Sequence, residues 1–486
     1  MLRYCEPIEF ADIDHVRFRR HWVIRRAGDP MAPNHWRRLH EGMGFALDAH
    51  PDLLVVREQR GALVAFTLGT AVDPSRPTDR GLVLRDDVGS DDLGGSIPKA
   101  ICGLAGAYVV VVFSPGGVDI YTDPAGMMGV YYSDGAAASC PGLLPGARRD
   151  PEIDRAYPLT EHDNWYLGDV CPFVGVKWLL ANHCLSLPGG RIRRFWPEQE
   201  PAARRKSEAI DEVLARVRGG LRQLCGRSPV LISLTGGRDS RINLAAAADL
   251  PVECFTASRG ARNREDVAIA GELAKAFGVP HELIHDAAAP PWLFQLYDEM
   301  MSSMVLGSSR PILGACRTIA SSRYVHVSGN LGAIAKGFFW PRNTEGVAQI
   351  GHMTRDIRNQ AGCILEAADR WMATVPPLSS HVTWNLMYLE QRGGRWMGPG
   401  EMASGLFYAP YAPFCDRRVF ESICGLPLEY QRSGRFLDDL AVAADERAAG
   451  IRYASGTSRL RRSLPTGLKV WGKRILRRLG RGGEGS

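Results

Sequence analysis

One stretch constrains this chain more than any other: Pro-Val-Leu-Ile-Ser-Leu-Thr-Gly-Gly-Arg-Asp-Ser-Arg-Ile-Asn-Leu, residues 229–244. The apolar run through Leu234 has the length and branching of a buried strand. It meets the tight turn Gly236-Gly237, and an apolar, Ala-rich helical pattern follows through Leu250. A strand that turns on glycines into a helix start makes an anion site. The glycines let backbone amides approach a phosphate, and the helix N-terminus adds positive potential. Thr235 and Ser240 add hydroxyl donors, with Ser233 just before them. Asp239 has no proton to give a phosphate and suits Mg²⁺ held beside the phosphates. The Gly-Lys-Ser/Thr ending of a Walker loop is missing. An ordinary Gly-rich strand-to-helix turn is the other reading of these six residues.

The flanking pattern makes the turn one unit of a series. A helix is expected over the preceding segment, with Ile210, Val213, Leu214, Val217, Leu221 and Leu224 on one face. Val252–Thr256 reads as a second strand. Arg264–Phe277 reads as a second helix, with Val267, Ala270, Leu273, Ala274 and Phe277 inward, stopped by Gly278-Val279-Pro280. His281–Ile284 begins a third strand. This βαβαβ rhythm predicts a parallel sheet with its ligand at the C-terminal strand ends. His281-Glu282-Leu283-Ile284-His285 matches the H-E-x-x-H zinc-protease signature, but that chemistry needs a helix. Pro280 and the Ala-Pro run after it favour a strand, where residues four apart lie about 13 Å from each other. A further strand, Tyr324–Val327, runs into Ser328-Gly329-Asn330-Leu331-Gly332-Ala333-Ile334-Ala335-Lys336-Gly337. Trp384–Trp396 fits a helix ending at Gly393-Gly394.

The N-terminal half reads as β-rich. Residues 1 to about 50 carry Arg, His and Trp with weak periodicity and assign little. Gly61–Gly69 and Leu104–Phe113 read as strands, Asp73–Gly95 as loop with one short strand, and Pro115-Gly116-Gly117 as a hairpin turn into Val118–Thr122. The length of 486 residues suits about three domains, or two large ones. The 45% hydrophobic and 23% charged content is that of a soluble globular protein. Eleven scattered cysteines without a C-x-x-C pair argue against a disulfide framework and for a reducing, cytoplasmic setting. No apolar run is long enough for a signal peptide or a bilayer span. The net charge of +6 is more than accounted for by the C-terminal tail.

Thr235-Gly236-Gly237-Arg238-Asp239-Ser240 resembles the Ser-Gly-Gly-X-Asp-Ser loop of the ATP-pyrophosphatase (PP-loop) families, with Thr keeping the first hydroxyl. Asp123-Pro124-Ala125-Gly126 through Tyr131-Tyr132, and Val176–Leu187 with Pro188-Gly189-Gly190, resemble the end of a class II glutamine amidotransferase domain as found in asparagine synthetases. Ser328-Gly329 resembles the start of the second asparagine synthetase signature, Ser-Gly-x-Gly-x-Asp-Glu. Tyr411–Arg418 is similar to its Arg-x-Pro-Phe-x-Asp segment. These pieces fall in family order over roughly residues 100 to 440.

The resemblance implies an α+β N-terminal domain of Ntn-hydrolase type with antiparallel sheets, followed by an α/β PP-loop domain with a parallel sheet and a helical C-terminal part. The expected bounds are 1–197, a linker 198–208, 209–455, and a basic tail 456–486. ATP and Mg²⁺ are the implied cofactors. Thr235, Gly236, Gly237 and Ser240 would hold pyrophosphate, Asp239 the metal, Ser328-Gly329 the nucleotide, and the backbone near Ala257 the adenine. Lys336 would supply charge to the pyrophosphate or stand solvated. Arg432 or Arg435 would replace the lysine the family places later, or lie free on the surface.

The departures are specific. Leu2 follows Met1, and Cys5 is internal, so the N-terminal cysteine nucleophile is lost and Cys5 reads as a structural thiol. No Asn-Gly or acidic glutamine-clamping segment appears in the first hundred residues. Asn330 and Ala333-Ile334 replace the acids of the second signature. The implied function is activation of a small-molecule carboxylate as an acyl-adenylate, then attack by ammonia or an amine, in a natural-product or surface-glycan pathway. A non-catalytic nucleotide-binding or scaffold relative competes with it. The tail from Arg459 to Arg481 places Leu468, Trp471, Ile475 and Leu479 on one helical face. It reads as peripheral contact with an anionic membrane, as a solvated end, or as a nucleic-acid contact that nothing else in the chain supports. The oligomeric state is not legible.

Overall fold

The computed structural model describes residues 3–4, 13–29, 33, 35–76, 82–84, 93–158, 165–285, 287–301, 316–340 and 361–454. Leu2, Cys5, the tail beyond 454 and most of 77–92 lie outside the described residues.

The first half is antiparallel. Its strands are β1 (Trp22–Arg26), β2 (Arg37–Gly42), β3 (Phe45–Ala49), β4 (Val55–Arg60), β5 (Leu63–Val72), β6 (Ala105–Ser114), β7 (Gly117–Thr122), β8 (Tyr131–Ser133), β9 (Ala136–Ala138), β10 (Lys177–Trp178), β11 (His183–Leu187) and β12 (Arg191–Arg194). They form two six-stranded sheets, ordered β10-β8-β9-β1-β3-β2 and β12-β11-β7-β6-β5-β4. The first fifty residues thus carry three strands that their periodicity hid. β1 is buried between β9 and β3, while β2 is a charged edge strand that shows no apolar alternation. The run in β6 is continuously apolar because both faces are covered. Val109, Val111 and Phe113 join Trp22 and Leu47 of the other sheet, and Tyr108, Val110 and Val112 face a second core shared with the C-terminal half. The expected hairpin closes with Ser114 opposite Gly117.

The second half is α/β. The helix Lys206–Cys225 buries all six residues expected on its inner face. β13 (Val230–Ser233), β14 (Val252–Ser258), β15 (His281–His285), β16 (Val325–Val327) and β17 (Ala409–Tyr411) form a five-stranded sheet, ordered β15-β14-β13-β16-β17, with every pair parallel. The H-E-x-x-H segment is β15, as its flanking prolines indicate. The helix Arg264–Phe277 has the expected bounds, closed by Gly278 in the left-handed region (φ 67°). It buries Ile269, with Val267 only half-buried.

Three expectations are corrected. The helix after the glycine turn spans Asp239–Ala246 and does not reach Leu250. The helix Leu93–Ile101 starts inside the stretch read as loop, and none of that stretch's described residues forms the short strand. Gly393-Gly394 do not end a helix. The helix Ser380–Met387 continues as a π-helix, Tyr388–Met397, into the helix Gly398–Ser404. Gly394 and Gly398 serve contact instead: a Cβ on Gly394 would stand 2.2 Å from the Ala125 carbonyl oxygen, and one on Gly398 2.7 Å from that of Gly126.

Asp123 makes that contact possible, because its carboxylate accepts the amides of Ala125, Gly126, Met127 and Met128 and so folds the Asp-Pro-x-Gly segment tightly. Arg417 closes the seam between the halves from the other side. Fully buried, it donates to Asn182 Oδ1 (2.8 Å), the Tyr108 hydroxyl (3.1 Å) and the Thr122 carbonyl (2.8 Å). Among the described residues no helix is long and apolar enough to cross a membrane.

Candidate functional site

The parallel sheet places the ends of β13, β14 and β16 side by side. There β13 gives way to the turn Leu234–Arg238 and the helix Asp239–Ala246. Short bonds set the shape of the turn. The Thr235 amide donates to Ser240 Oγ (3.1 Å), the two hydroxyls stand 3.0 Å apart, and the Gly237 amide donates to Thr235 Oγ1 (3.1 Å). The Gly236 amide donates to Asp266 Oδ1 (3.1 Å), so a carboxylate of the next helix already occupies one amide of the anion loop. Asp266, which no periodicity marks, sits in the first turn of the helix Arg264–Phe277, off its apolar face.

The second loop packs against the first. A Cβ on Gly329 would lie 3.0 Å from the Asp239 Cβ and the Ser240 nitrogen, and one on Gly332 2.3 Å from Asp239 Oδ1. Only a glycine lets these backbones approach so closely. Ser328 is buried, its amide donates to the Tyr411 carbonyl, and its own carbonyl accepts Asn243 Nδ2. Lys336 reaches back to pair with Asp239, with Nζ 3.0 Å from Oδ2. Asp239, Ser240, Ser328, Gly329 and Lys336, up to 97 residues apart, are thereby gathered at one place.

A cavity of about 470 Å³ opens beside them. Ser233, Thr235 and Ala257 line it, together with the polar Arg259, Asn263 and Asp266. Phe255, Tyr297, His326, Phe407 and Tyr408 are the aromatic residues of the lining. Asn263 Nδ2 donates to the Ala257 carbonyl (2.7 Å) and fixes the backbone just after β14. His326 is buried with both ring nitrogens unpartnered, and burial holds its pKa down to about 3. Gly236, Gly237, Asp239, Ser240, Ser328, Gly329 and Lys336 stand outside the lining. Arg432 and Arg435 are exposed and outside it as well. The exposed Arg259, at the end of β14, is the cation on the lining, a position that only the strand ends in three dimensions identify.

Two further arginines fasten the turn. Arg238 pairs with Asp438 (2.6 Å), and Arg241 donates to the carbonyls of Ala448 (2.7 Å) and Arg452 (2.7 Å). Both guanidinium groups stack on Tyr453, at 4.6 and 4.0 Å from its ring centre. The Ala454 amide donates to the Gly236 carbonyl (3.2 Å).

The donor set for a metal is small. Among the described residues no group of three His, Cys, Asp or Glu side chains gathers to hold an ion. His281 and His285 do not converge, since His281 Nε2 is bonded to Thr256 Oγ1 (2.8 Å) while His285 is exposed. The single carboxylate of Asp239 fits Mg²⁺ that arrives with phosphates, because Mg²⁺ keeps its waters and commonly takes one or two protein carboxylates beside them.

One more acid belongs to this neighbourhood. Asn330 Nδ2 donates to Oε1 of Glu401, which lies on the helix Gly398–Ser404 and is buried. Burial pushes the Glu401 carboxyl up to about 7, with Ser328 and Asn330 pulling the other way.

No family model matches this chain, and no curated protein matches it. Among solved structures it is similar to the glutamine phosphoribosylpyrophosphate amidotransferase from B. subtilis complexed with ADP and GMP, at 12% identity, 74% of this chain, 75% of that chain and a TM-score of 0.22. It is similar to an allosteric regulatory enzyme of purine biosynthesis, at 10% identity, 73% and 74% coverage and a TM-score of 0.24. It is also similar to the glutamine-dependent NAD⁺ synthetase from Acinetobacter baumannii in complex with ADP, at 14% identity and a TM-score of 0.18, over 44% of this chain and 41% of that one.

Proposed function

We propose that the chain is an ATP-dependent enzyme of asparagine synthetase type that activates a small-molecule carboxylate as an acyl-adenylate and passes the acyl group to ammonia or an amine. The observation that carries this reading is the strand-turn-helix at Thr235–Ser240, which shares the C-terminal edge of a parallel sheet with the Ser328–Lys336 loop and a cavity of about 470 Å³. A carboxylate oxygen attacks the α-phosphorus of ATP, the bond to the β-phosphate breaks, and pyrophosphate leaves. The nitrogen then bonds to the acyl carbon and AMP departs with the electron pair.

The division into residues 1–197, 198–208 and 209–455 belongs to the same proposal. Thr235, Gly236, Gly237 and Ser240 receive the pyrophosphate, Ser233 and Ser328-Gly329 flank the nucleotide, and the backbone at Ala257 takes the base. Lys336 exchanges the Asp239 carboxylate for phosphate oxygens on binding. Asp239 would hold Mg²⁺, which neutralises charge on the phosphates when bound. The partners are a carboxylic acid and an amine, without nucleic acid. The site of action is cytoplasmic, with the basic tail resting on the inner membrane face.

A second reading, a nucleotide-binding relative without turnover, is favoured by two contacts: Lys336 neutralises Asp239, and Asp266 occupies the Gly236 amide. Calorimetric titration of Mg-ATP into the wild type and Asp239→Asn tests the site first. Binding is expected in the wild type, weakened about tenfold or more in the variant. No binding at millimolar Mg-ATP refutes both readings. Binding without pyrophosphate release across a panel of carboxylates favours the second.

A further inference from the structure

We propose that the aromatic part of the cavity of about 470 Å³ is the acyl subsite of this enzyme, and that it takes an aromatic carboxylic acid whose ring carries a hydroxyl or N–H read by His326. The proposal rests on the synthetase reading above and names its substrate class.

Strand register sets His326 apart from the nucleotide. His326 on β16 and Glu253 on β14 both stand opposite Leu231 of β13. Ser233 is therefore two residues nearer the C-terminal strand ends than His326, about 7 Å, and Ala257 four residues nearer, about 13 Å. β14 and β16 lie on opposite sides of β13, which adds about 10 Å across the sheet. A base held on the Ala257 backbone stays over β14, and the space over β13 and β16 is left to a second ligand. That space is walled for a flat ring. The centres of Tyr408 and Phe255 stand 4.4 and 5.6 Å from that of the His326 ring. Tyr297 adds an aromatic wall from the helix Pro291–Met301. Gly400 and Ala403 keep the helix Gly398–Ser404 low where it joins the lining, and a Cβ on Gly400 would meet nothing within 4 Å.

His326 brings polarity to these rings. It is 7% exposed, and among the described residues neither Nδ1 nor Nε2 has a hydrogen-bond partner. The neighbouring Tyr408 hydroxyl is already taken up by Ser404 and Cys316. A buried imidazole bonded to nothing is costly where an apolar ring would pack as well. Burial keeps it neutral, so one ring nitrogen donates and the other accepts. A hydroxyl or N–H on a ligand ring satisfies the accepting nitrogen. From there a benzene ring substituted at both ends covers the two-residue step to Ser233. It presents its carboxylate beside Ser233 and Thr235, where the turn receives the phosphates and the carboxylate oxygen meets the α-phosphorus.

Ligand-observed NMR titration of the full chain with para-hydroxybenzoate and with benzoate tests this. The hydroxylated acid is expected to bind about tenfold or more tighter, because benzoate leaves His326 unpaired. His326→Phe should remove that preference and keep benzoate binding. Gly400→Leu, which grows into open space, should lose both acids while circular dichroism shows the fold retained. The α,β-methylene analogue of ATP with Mg²⁺, which cannot release pyrophosphate, should bind together with para-hydroxybenzoate. No binding of either acid at millimolar concentration, equal affinity for the two, or a preference that survives His326→Phe overturns the proposal. So does unchanged acid binding in Gly400→Leu. Displacement of the acid by the analogue overturns it too, and gives this space to the nucleotide. An analogue that does not bind overturns the synthetase reading instead, while a hydroxyl preference that depends on His326 still assigns the ring site.

Discussion

Residue identity at the glycine turn sets a balance between holding its shape and receiving an anion. Asp266 accepts the Gly236 amide, and its charge faces the space a phosphate would enter. One hydrogen bond of this kind is worth roughly 1 kcal/mol net. Asp266→Asn removes the charge and weakens the claim on the amide. Pyrophosphate affinity, measured by calorimetry, should therefore rise about fivefold. A fall of the same size would mean that Asp266 holds the loop open for its ligand.

At the scale of elements, glycines decide where the π-helix meets the Asp123–Met128 turn. A Cβ at Gly394 would press on backbone 2.2 Å away, an atom that cannot rotate aside. Gly394→Ala should destabilise the protein by about 1–3 kcal/mol, seen as a lowered thermal midpoint. Gly271, inside the helix Arg264–Phe277, has nothing within 4 Å of its Cβ position. Gly271→Ala should stabilise the protein by up to about 1 kcal/mol. Equal effects of the two substitutions would mean that propensity, not contact, governs both sites.

The whole molecule is held at its seam and titrates from its interior. Arg417→Met leaves Asn182, Tyr108 and the Thr122 carbonyl without their donor, and should cost about 3–5 kcal/mol in denaturant unfolding. Four histidines are held neutral by burial, His21 and His326 down to about 3, His50 and His183 down to about 4. Unfolded, each takes a proton near pH 6.5, so the unfolded chain binds more protons below that pH. Their contribution is complete above pH 6.5 and is lost as pH falls toward 4, at up to ~1.4 kcal/mol per pH unit for each histidine. His326→Phe should make the denaturant midpoint less steep in this window. An unchanged slope would place the acid sensitivity elsewhere. Glu401 has the opposite sign: its raised folded pKa makes its contribution complete below about 4.5 and lost as pH rises through about 7.

Sequence by itself determined the local series: the strand, the glycine turn, the helices Lys206–Cys225 and Arg264–Phe277, the β6–β7 hairpin and the strand character of His281–His285. Each is encoded by periodicity, turn chemistry or a flanking proline within about fifteen residues. It did not reveal β1 to β3, because β1 is buried whole and β2 is a charged edge, and neither leaves an alternating pattern. It misread Gly393-Gly394 as a helix end, because a glycine required by a neighbour 269 residues away looks the same as a glycine that stops a helix. Only tertiary structure seated Lys336 on Asp239, Asp266 on Gly236 and Glu401 on Asn330. Those pairings are long-range meetings at strand ends and helix starts, fixed by which elements pack together, and no spacing along the chain records them.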